Sequence, residues 1–125
     1  MAAVRSRGNL STEVKMARLL REFALHGWRR HCPTYGRPDF CWLREKVGIF
    51  VDGCFWHGCP RCYKTPRSHV RYWKAKVLAN QERDRRVNSL LKRKGWVVVR
   101  IWECCLADKR NIDRVRKALR RNPMS

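Results

Sequence analysis

The sequence predicts an α/β fold, with a mixed central sheet flanked by helices in a single domain over 1–125. Three observations predict it. Segments of helical periodicity alternate with β-branched segments in the order αβββαβα. The segment Trp96–Trp102 is almost wholly apolar, which is typical of a strand buried on both faces. A chain of 125 residues is also long enough for one hydrophobic core.

The first half of the chain predicts one helix and three short strands. Ser11 or Thr12 can cap a helix from about Glu13 to His26, and Gly27 then ends it. Strands are expected at 28–32, 39–43 and 47–52, with turns at 33–36 and 44–46.

The second half begins with a Cys-rich loop that reaches about Pro66. A long helix is expected from near Ser68 to Lys94, where Gly95 stops it. The apolar strand follows. A final helix over 111–121 turns Ile112, Val115 and Leu119 inward.

The charge of the chain indicates a polyanionic partner. Thirty Lys and Arg stand against ten Asp and Glu, a formal net charge of +20. Nucleic acid is the leading candidate. An anionic membrane surface is less favoured because no apolar run approaches a spanning length of ~20 residues. A merely soluble basic surface is less favoured at this charge. The N-terminus has no apolar segment like that of a signal peptide, so we expect a cytoplasmic, nucleoid-associated bacterial protein.

Cysteine spacing predicts a metal site. Cys54, Cys59 and Cys62 lie within nine residues in a Gly/Pro loop, where buried free thiols are unusual. A closed tetrahedral zinc site needs a fourth ligand, which Cys104 or Cys105 could supply.

Other residues near this loop have different interpretations. In a reducing compartment, metal explains the seven cysteines better than disulfides. Cys32 and Cys41, in or beside strands, fit better as small buried hydrophobic residues. His57 lies inside the cluster, and we reserve it for catalysis.

Two carboxylates are expected to meet where neighbouring strands diverge. Asp39 opens one predicted strand and Asp52 closes the next, and Glu13 could add an acid from the first helix. Such a group suits magnesium, which binds one or two carboxylates together with waters and phosphate oxygens. Each acid alone could equally be a solvated turn or capping residue.

Several motifs in order resemble the very short patch repair endonuclease family of the PD-(D/E)xK nuclease superfamily. The resemblance covers about Arg5 to Leu106 and rests on Gly36-Arg-Pro-Asp-Phe40, Val51-Asp-Gly-Cys-Phe-Trp-His57, Tyr72-Trp73, Glu82-Arg-Asp-Arg-Arg86, Gly95-Trp96 and Trp102-Glu-Cys104. It implies a restriction-endonuclease-like core and a magnesium-dependent endonuclease that nicks DNA beside a T:G mismatch formed by deamination of 5-methylcytosine. It also implies a monomer acting on double-stranded DNA, with mismatch-repair proteins as further partners.

The resemblance also implies roles for single residues. Asp39 corresponds to the essential magnesium ligand, the main-chain carbonyl of Val51 is expected on the same ion, and His57 matches a catalytic histidine. Glu13 and Asp84 match acids that complete the site or orient its waters and histidine. Cys54, Cys59, Cys62 and Cys104 match zinc ligands, and Phe55, Trp56 and Trp73 match aromatic residues that enter the duplex. Trp73 could equally pack in the core with Val70 and Val77.

The chain departs from the family pattern at three places. Asp52 stands where many members carry a second active-site histidine, and the superfamily's lysine is replaced by Cys54. The zinc loop has cysteine where some relatives use histidine. The N-terminal arm before Glu13 is short, although Arg5-Ser6-Arg7 resembles its end. A related site- or structure-specific nuclease of mobile-element type, and a non-catalytic zinc-stabilised DNA-binding module, stay open as alternatives.

Overall fold

The structure is a computed structural model that describes residues 2–54, 59–61, 64 and 66–121, with side chains from Thr12 onward. The helices are α1 (Ala2–Glu22), α2 (Val70–Arg93) and α3 (Lys109–Arg121). The strands are β1 (Arg29–Arg30), β2 (Phe40–Trp42), β3 (Val47–Asp52) and β4 (Val97–Trp102), and a 3₁₀ turn covers Glu103–Cys105. The predicted order and the α/β class are confirmed.

The four strands form one mixed sheet in the order β1-β2-β3-β4. β1 and β2 pair antiparallel, as do β2 and β3, because short turns join them. β3 and β4 pair in parallel, with Val47 opposite Val97 and Asp52 opposite Trp102. The long α2 makes this parallel connection, so the carboxyl ends of β3 and β4 lie side by side.

A separate hydrophobic cluster covers each face of the sheet. On one face, α1 and α3 contribute Met16, Leu20 and Val115 against Ile49 of β3. On the other face, Val87 and Leu91 of α2 pack with Phe50. The sheet is therefore the middle of three layers.

The start of α1 differs from the prediction. Thr12 does not cap the helix: α1 begins at Ala2, so Thr12 lies inside it, and its hydroxyl donates to Glu103 Oε2 at 2.9 Å. Glu13 is consequently in the interior of α1 and not near its start. The helix also ends at Glu22, four residues before His26.

β4 is less buried than the sequence predicts. Only Val99 and Ile101 are buried, and the other residues of the strand are half-buried. β4 lies at an edge of the described sheet, and Arg100 occupies its α2 face. The strand is therefore not buried on both faces.

Two cysteines behave differently from the prediction. Cys32 and Cys41 are buried, as expected, but they form a disulfide instead of remaining thiols. Pairing of Arg29 with Cys41 brings the two segments together, and the Cα–Cα distance of 6.2 Å is within the range that a disulfide spans.

No helix formed by the described residues has the length and apolar character required to cross a membrane.

Candidate active site and metal centre

Asp39 is held at the start of β2 by two backbone interactions with β3. Its N–H donates to the carbonyl of Ile49 at 2.9 Å, which extends the β2–β3 ladder by one residue. Its carboxylate Oδ2 accepts a hydrogen bond from the N–H of Val51 at 2.7 Å. The predicted meeting of Asp39 with the end of β3 is therefore present, and the orientation of the carboxylate is fixed by the sheet.

Glu13 of α1 lies beside Asp39, and Arg30 of β1 forms an ion pair with Glu13. The pKa of Asp39 is raised to about 7, chiefly by burial and also by the nearby Glu13 and Asp52, while the hydrogen bond from Val51 opposes the shift. Three predicted acids are thus brought within electrostatic reach of each other.

A cavity of about 360 Å³ opens beside these acids. It is lined by Glu13, His31, Cys32, Pro33, Arg37, Pro38 and Asp39. His31 and Arg37 both have left-handed backbone conformations, with φ of 56° and 47°. Such strain in residues other than glycine is frequent at functional sites, because the surrounding fold must hold it in place.

Asp52 points toward α2 and meets a second set of polar residues. Arg100 Nη1 lies 2.8 Å from Asp52 Oδ1 and 3.5 Å from Asp84 Oδ1. The Nε of Arg100 donates to Asn88 Oδ1 at 2.8 Å, and its guanidinium lies 4.2 Å from the centre of the Phe50 ring. Asp52 and Asp84, predicted separately, therefore share one arginine.

The cysteine cluster is also present. The sulfur atoms of Cys54, Cys59 and Cys104 all lie within 4.8 Å of one another, and those of Cys59 and Cys104 are 3.7 Å apart. This group of thiols could hold a metal ion. Cys105 lies next to it, with Sγ 3.6 Å from that of Cys104 and 3.7 Å from Nη1 of Arg61.

Four predicted site residues, Phe55, Trp56, His57 and Cys62, lie outside the described residues. Trp73 is described. It is half-buried in the first turn of α2, where its ring contacts the exposed Tyr72 edge to face at 5.0 Å. Neither hydrophobic cluster of the described residues includes Trp73; of its two predicted core partners, Val70 is exposed and Val77 is buried.

Sequence reasoning missed Arg30, His31 and Arg100. Arginine is common in this chain, and only the apolar strand around Arg100 separates it from the many exposed cations. Its position at the centre of an apolar strand was the available signal, because a charge there needs a partner.

Comparison with known proteins identifies relatives over most of the chain. Residues 1–64 match the family model for the DNA mismatch endonuclease Vsr. The DNA mismatch endonuclease Vsr of Escherichia coli (strain K12) is 36% identical over 114 residues, which cover 90% of this chain and 72% of that protein.

Two further relatives are nicking enzymes. The type II nicking enzyme V.NaeI of Lentzea aerocolonigenes is 46% identical over 67 residues, or 54% of this chain and 40% of the relative. The type II nicking enzyme V.XorIIP of Xanthomonas oryzae pv. oryzae is 41% identical over 88 residues, or 69% of this chain and 61% of the relative. The alignments with these two relatives span less than two thirds of their lengths.

Proposed function

The chain belongs to the family of the DNA mismatch endonuclease Vsr, and from that premise we propose that it nicks one strand of DNA next to a T:G mismatch. The nick would initiate very short patch repair of deaminated 5-methylcytosine. The observation that carries the proposal is the buried carboxylate of Asp39, fixed at the start of β2 by the Val51 N–H, with Glu13 beside it and Asp52 close enough to affect its pKa. A non-catalytic DNA-binding module gains nothing from acids that would face the DNA phosphates.

The acids fit a divalent cation. The pKa of Asp39 is raised to about 7 because the carboxyl is buried near two other acids, so a cation placed there would offset an excess of negative charge. Oxygen ligands are those that magnesium prefers, and Asp39, Asp52 and the main-chain carbonyl of Val51 would hold it. When bound, magnesium activates water and neutralises charge on the scissile phosphate.

The remaining residues would position the reactants. Glu13, fixed by Arg30, would accept hydrogen bonds from water in the adjacent cavity. His57 would move a proton to or from the attacking water or the leaving oxygen, and Asp84 would orient that histidine.

Aromatic residues would supply recognition of the mismatch. Phe55, Trp56 and Trp73 are proposed to enter the duplex beside the T:G pair. Opening a stack costs a few kcal/mol, which contacts with aromatic faces partly recover. The half-buried position of Trp73 next to exposed Tyr72 supports this role over core packing.

Zinc is proposed for the cysteine cluster, with Cys54, Cys59, Cys62 and Cys104 as ligands. Tetrahedral zinc with Zn–S bonds of ≈ 2.3 Å places neighbouring sulfurs about 3.8 Å apart. The separation of 3.7 Å between Cys59 and Cys104 agrees with that geometry. The site would join the loop after β3 to the turn after β4.

A strand-specific nicking assay tests the function. Duplexes of one sequence, with T:G, T:A or C:G at the same position and each strand labelled in turn, are incubated with the protein and Mg²⁺. We expect one strand of the T:G duplex to be cut, no cutting of the matched duplexes, and no activity for Asp39→Ala. Equal cleavage of all three duplexes would reject mismatch specificity and favour a site-specific nuclease. Binding without Mg²⁺-dependent cleavage would favour the non-catalytic module.

A metal assay tests the zinc site. Elemental analysis of the purified protein should find one zinc per chain. Cys104→Ser should lower that content, whereas Cys105→Ser is the matched control and should not. If only the Cys105 variant loses zinc, the fourth ligand has been assigned to the wrong cysteine.

A further inference from the structure

The carboxylate of Asp52 is buried, so a positive charge is needed close to it. It closes β3 with only 6% of its surface exposed, and it faces α2 on the side of the sheet that carries Phe50. A carboxylate removed from water in this way is costly unless a cation or several hydrogen bonds meet it. Arg100 supplies that cation from the neighbouring strand, at 2.8 Å.

The guanidinium of Arg100 is itself held from several directions. Nη1 is shared between Asp52 and Asp84, Nε donates to Asn88, and the plane lies over the Phe50 ring at 4.2 Å. Because a guanidinium is planar and its donors have a fixed fork geometry, these contacts set its orientation. The oriented guanidinium in turn restricts the positions of the Asp52 and Asp84 carboxylates.

The position at which the superfamily has its lysine cannot provide the same charge. Cys54 stands there, and its sulfur lies in the thiol group with Cys59 and Cys104. Arg100 comes from a different strand but brings a positive charge to the carboxylate that is two residues before Cys54.

We propose that Arg100 is a positioning residue for the nuclease site, one that aligns Asp52 and Asp84 beside Asp39 and replaces the missing lysine as the local positive charge. The proposal rests on the proposed function and deepens it. Asp52, Asp84 and Arg100 together line a cavity of about 320 Å³ with Gln81, Arg85 and Trp102, so the aligned carboxylates border open space and are not sealed in the core.

The proposal is distinguishable from a purely structural ion pair. A structural pair affects folding alone, and replacing both partners by neutral residues of similar shape restores stability. A positioning residue affects metal binding and the rate even when folding is intact. Partners that orient metal ligands typically change metal affinity or activity by roughly 10–100-fold when they are replaced.

Two variants separate these roles. Arg100→Lys keeps the charge but loses the planar fork, so it tests positioning. Asp52→Asn with Arg100→Met removes both buried charges together and measures only what the pair contributes to stability, because Asp52 is itself a proposed magnesium ligand. The control is Arg116→Met, since Arg116 also stacks on a phenylalanine, Phe23, and donates to a backbone carbonyl, but contacts no carboxylate among the described residues. Urea denaturation of each variant establishes which of them are folded.

The readouts are the nicking rate on the T:G duplex, the Mg²⁺ concentration that gives half the maximal rate, and Mn²⁺ binding measured by electron paramagnetic resonance without DNA. We expect Arg100→Lys to fold, to nick roughly tenfold or more slowly, and to bind Mn²⁺ at least several-fold more weakly. Arg116→Met should match the wild type in rate and Mn²⁺ affinity.

Wild-type rates and unchanged metal binding in folded Arg100→Lys would overturn the proposal. If the wild-type protein nicks no duplex, the proposed function fails, and Arg100 is then judged by Mn²⁺ binding alone. In that case, weaker binding by Arg100→Lys than by the wild type supports the positioning role, and equal binding overturns it.

Discussion

Asp39 and Asp52 are neighbouring acids, and different groups contact their carboxylates. Asp52 is met by the guanidinium of Arg100, whereas the hydrogen bond to the Asp39 carboxylate comes from the neutral N–H of Val51. Burial destabilises the charged form of Asp39 by more than this hydrogen bond stabilises it, so the pKa rises to about 7. Asp39 therefore exchanges its proton near neutral pH.

This shift makes the stability of the magnesium-free protein dependent on pH. Between pH about 4 and about 7 the folded state retains the Asp39 proton that the unfolded state has released, so stability falls as the pH rises through this window. Asp39→Asn keeps an acceptor for the Val51 N–H but never ionises. We expect it to gain stability relative to the wild type by up to about 4 kcal/mol at pH 8, and little at pH 4.

Urea denaturation at both pH values, without magnesium, measures this difference. Asp113→Asn is the control, because Asp113 is an exposed acid on α3. A stability difference between Asp39→Asn and the wild type that is the same at pH 4 and pH 8 would show that the Asp39 carboxyl is not shifted.

The turn before β2 depends on close packing against α2. Gly36 has a φ of +79°, and a Cβ atom there would lie 2.4 Å from Cγ1 of Val87. Gly36→Ala therefore combines a strained backbone with a steric clash, and we expect a loss of roughly 1–3 kcal/mol in the free energy of unfolding. Asp39 is three residues away, so nicking should also slow.

Gly95→Ala separates the two effects in the same denaturation experiment. Gly95 has a similar φ of +88°, but its added Cβ would meet nothing closer than the Lys46 side chain at 3.9 Å. Gly36→Ala should be the more destabilising change, and Val87→Ala should relieve part of its cost while giving Gly95→Ala no relief. Equal losses for the two glycine variants would mean that the contact with Val87 has no energetic weight.

The secondary structure elements were predictable because their signals are local. The alternation around the 44–46 turn gave β3 its observed bounds, and Gly95 marked the stop that follows α2. The start of α1 was missed because the partner of Thr12 is Glu103, 91 residues away. A capping residue and a residue with a tertiary hydrogen bond look the same in sequence.

The residue types of the site could be predicted from the sequence, but the contacts between their side chains were harder to predict. Residue patterns and the motif resemblance both predicted the acids and thiols. The structure places three of the thiols within 4.8 Å of one another, and it places Glu13 and Asp52 close enough to Asp39 to affect its pKa. The pairing of Asp52 with Arg100 joins residues 48 apart in the chain and depends on the parallel register of β3 and β4. Register and side-chain direction are tertiary properties, so no spacing rule indicated this contact.

At the scale of the whole molecule, the described cations that lie nearest the acids form ion pairs, whereas the lining of one cleft along α2 contains cations and no acid. Arg30 and Arg100 contact carboxylates. A cleft of about 390 Å³ farther along the helix is lined by Tyr35, Arg85, Arg86, Ser89, Leu90 and Arg93, with no acid among these residues. With a net charge of +20, such a surface should bind phosphates and release their counterions.

The affinity for duplex DNA should consequently fall steeply with salt. For about six phosphate contacts, the slope of log K against log[NaCl] should be about −5. Arg86→Ala with Arg93→Ala should make that slope shallower by about 2, because each lost contact removes ~0.9. Fluorescence anisotropy with T:G and matched duplexes, in the absence of magnesium, measures the slopes. T:G and matched DNA should give parallel lines, since contacts with the mismatch are not ionic.

The matched control is Arg120→Ala with Arg121→Ala, which removes the same charge from exposed positions in the last turn of α3. If binding responds only to total charge, both double variants should change the slope equally. If phosphates contact the α2 cleft, only the variant with Arg86 and Arg93 replaced should do so. A counterion-release slope counts local phosphate contacts, so it separates a defined DNA-binding surface from general attraction by a basic protein.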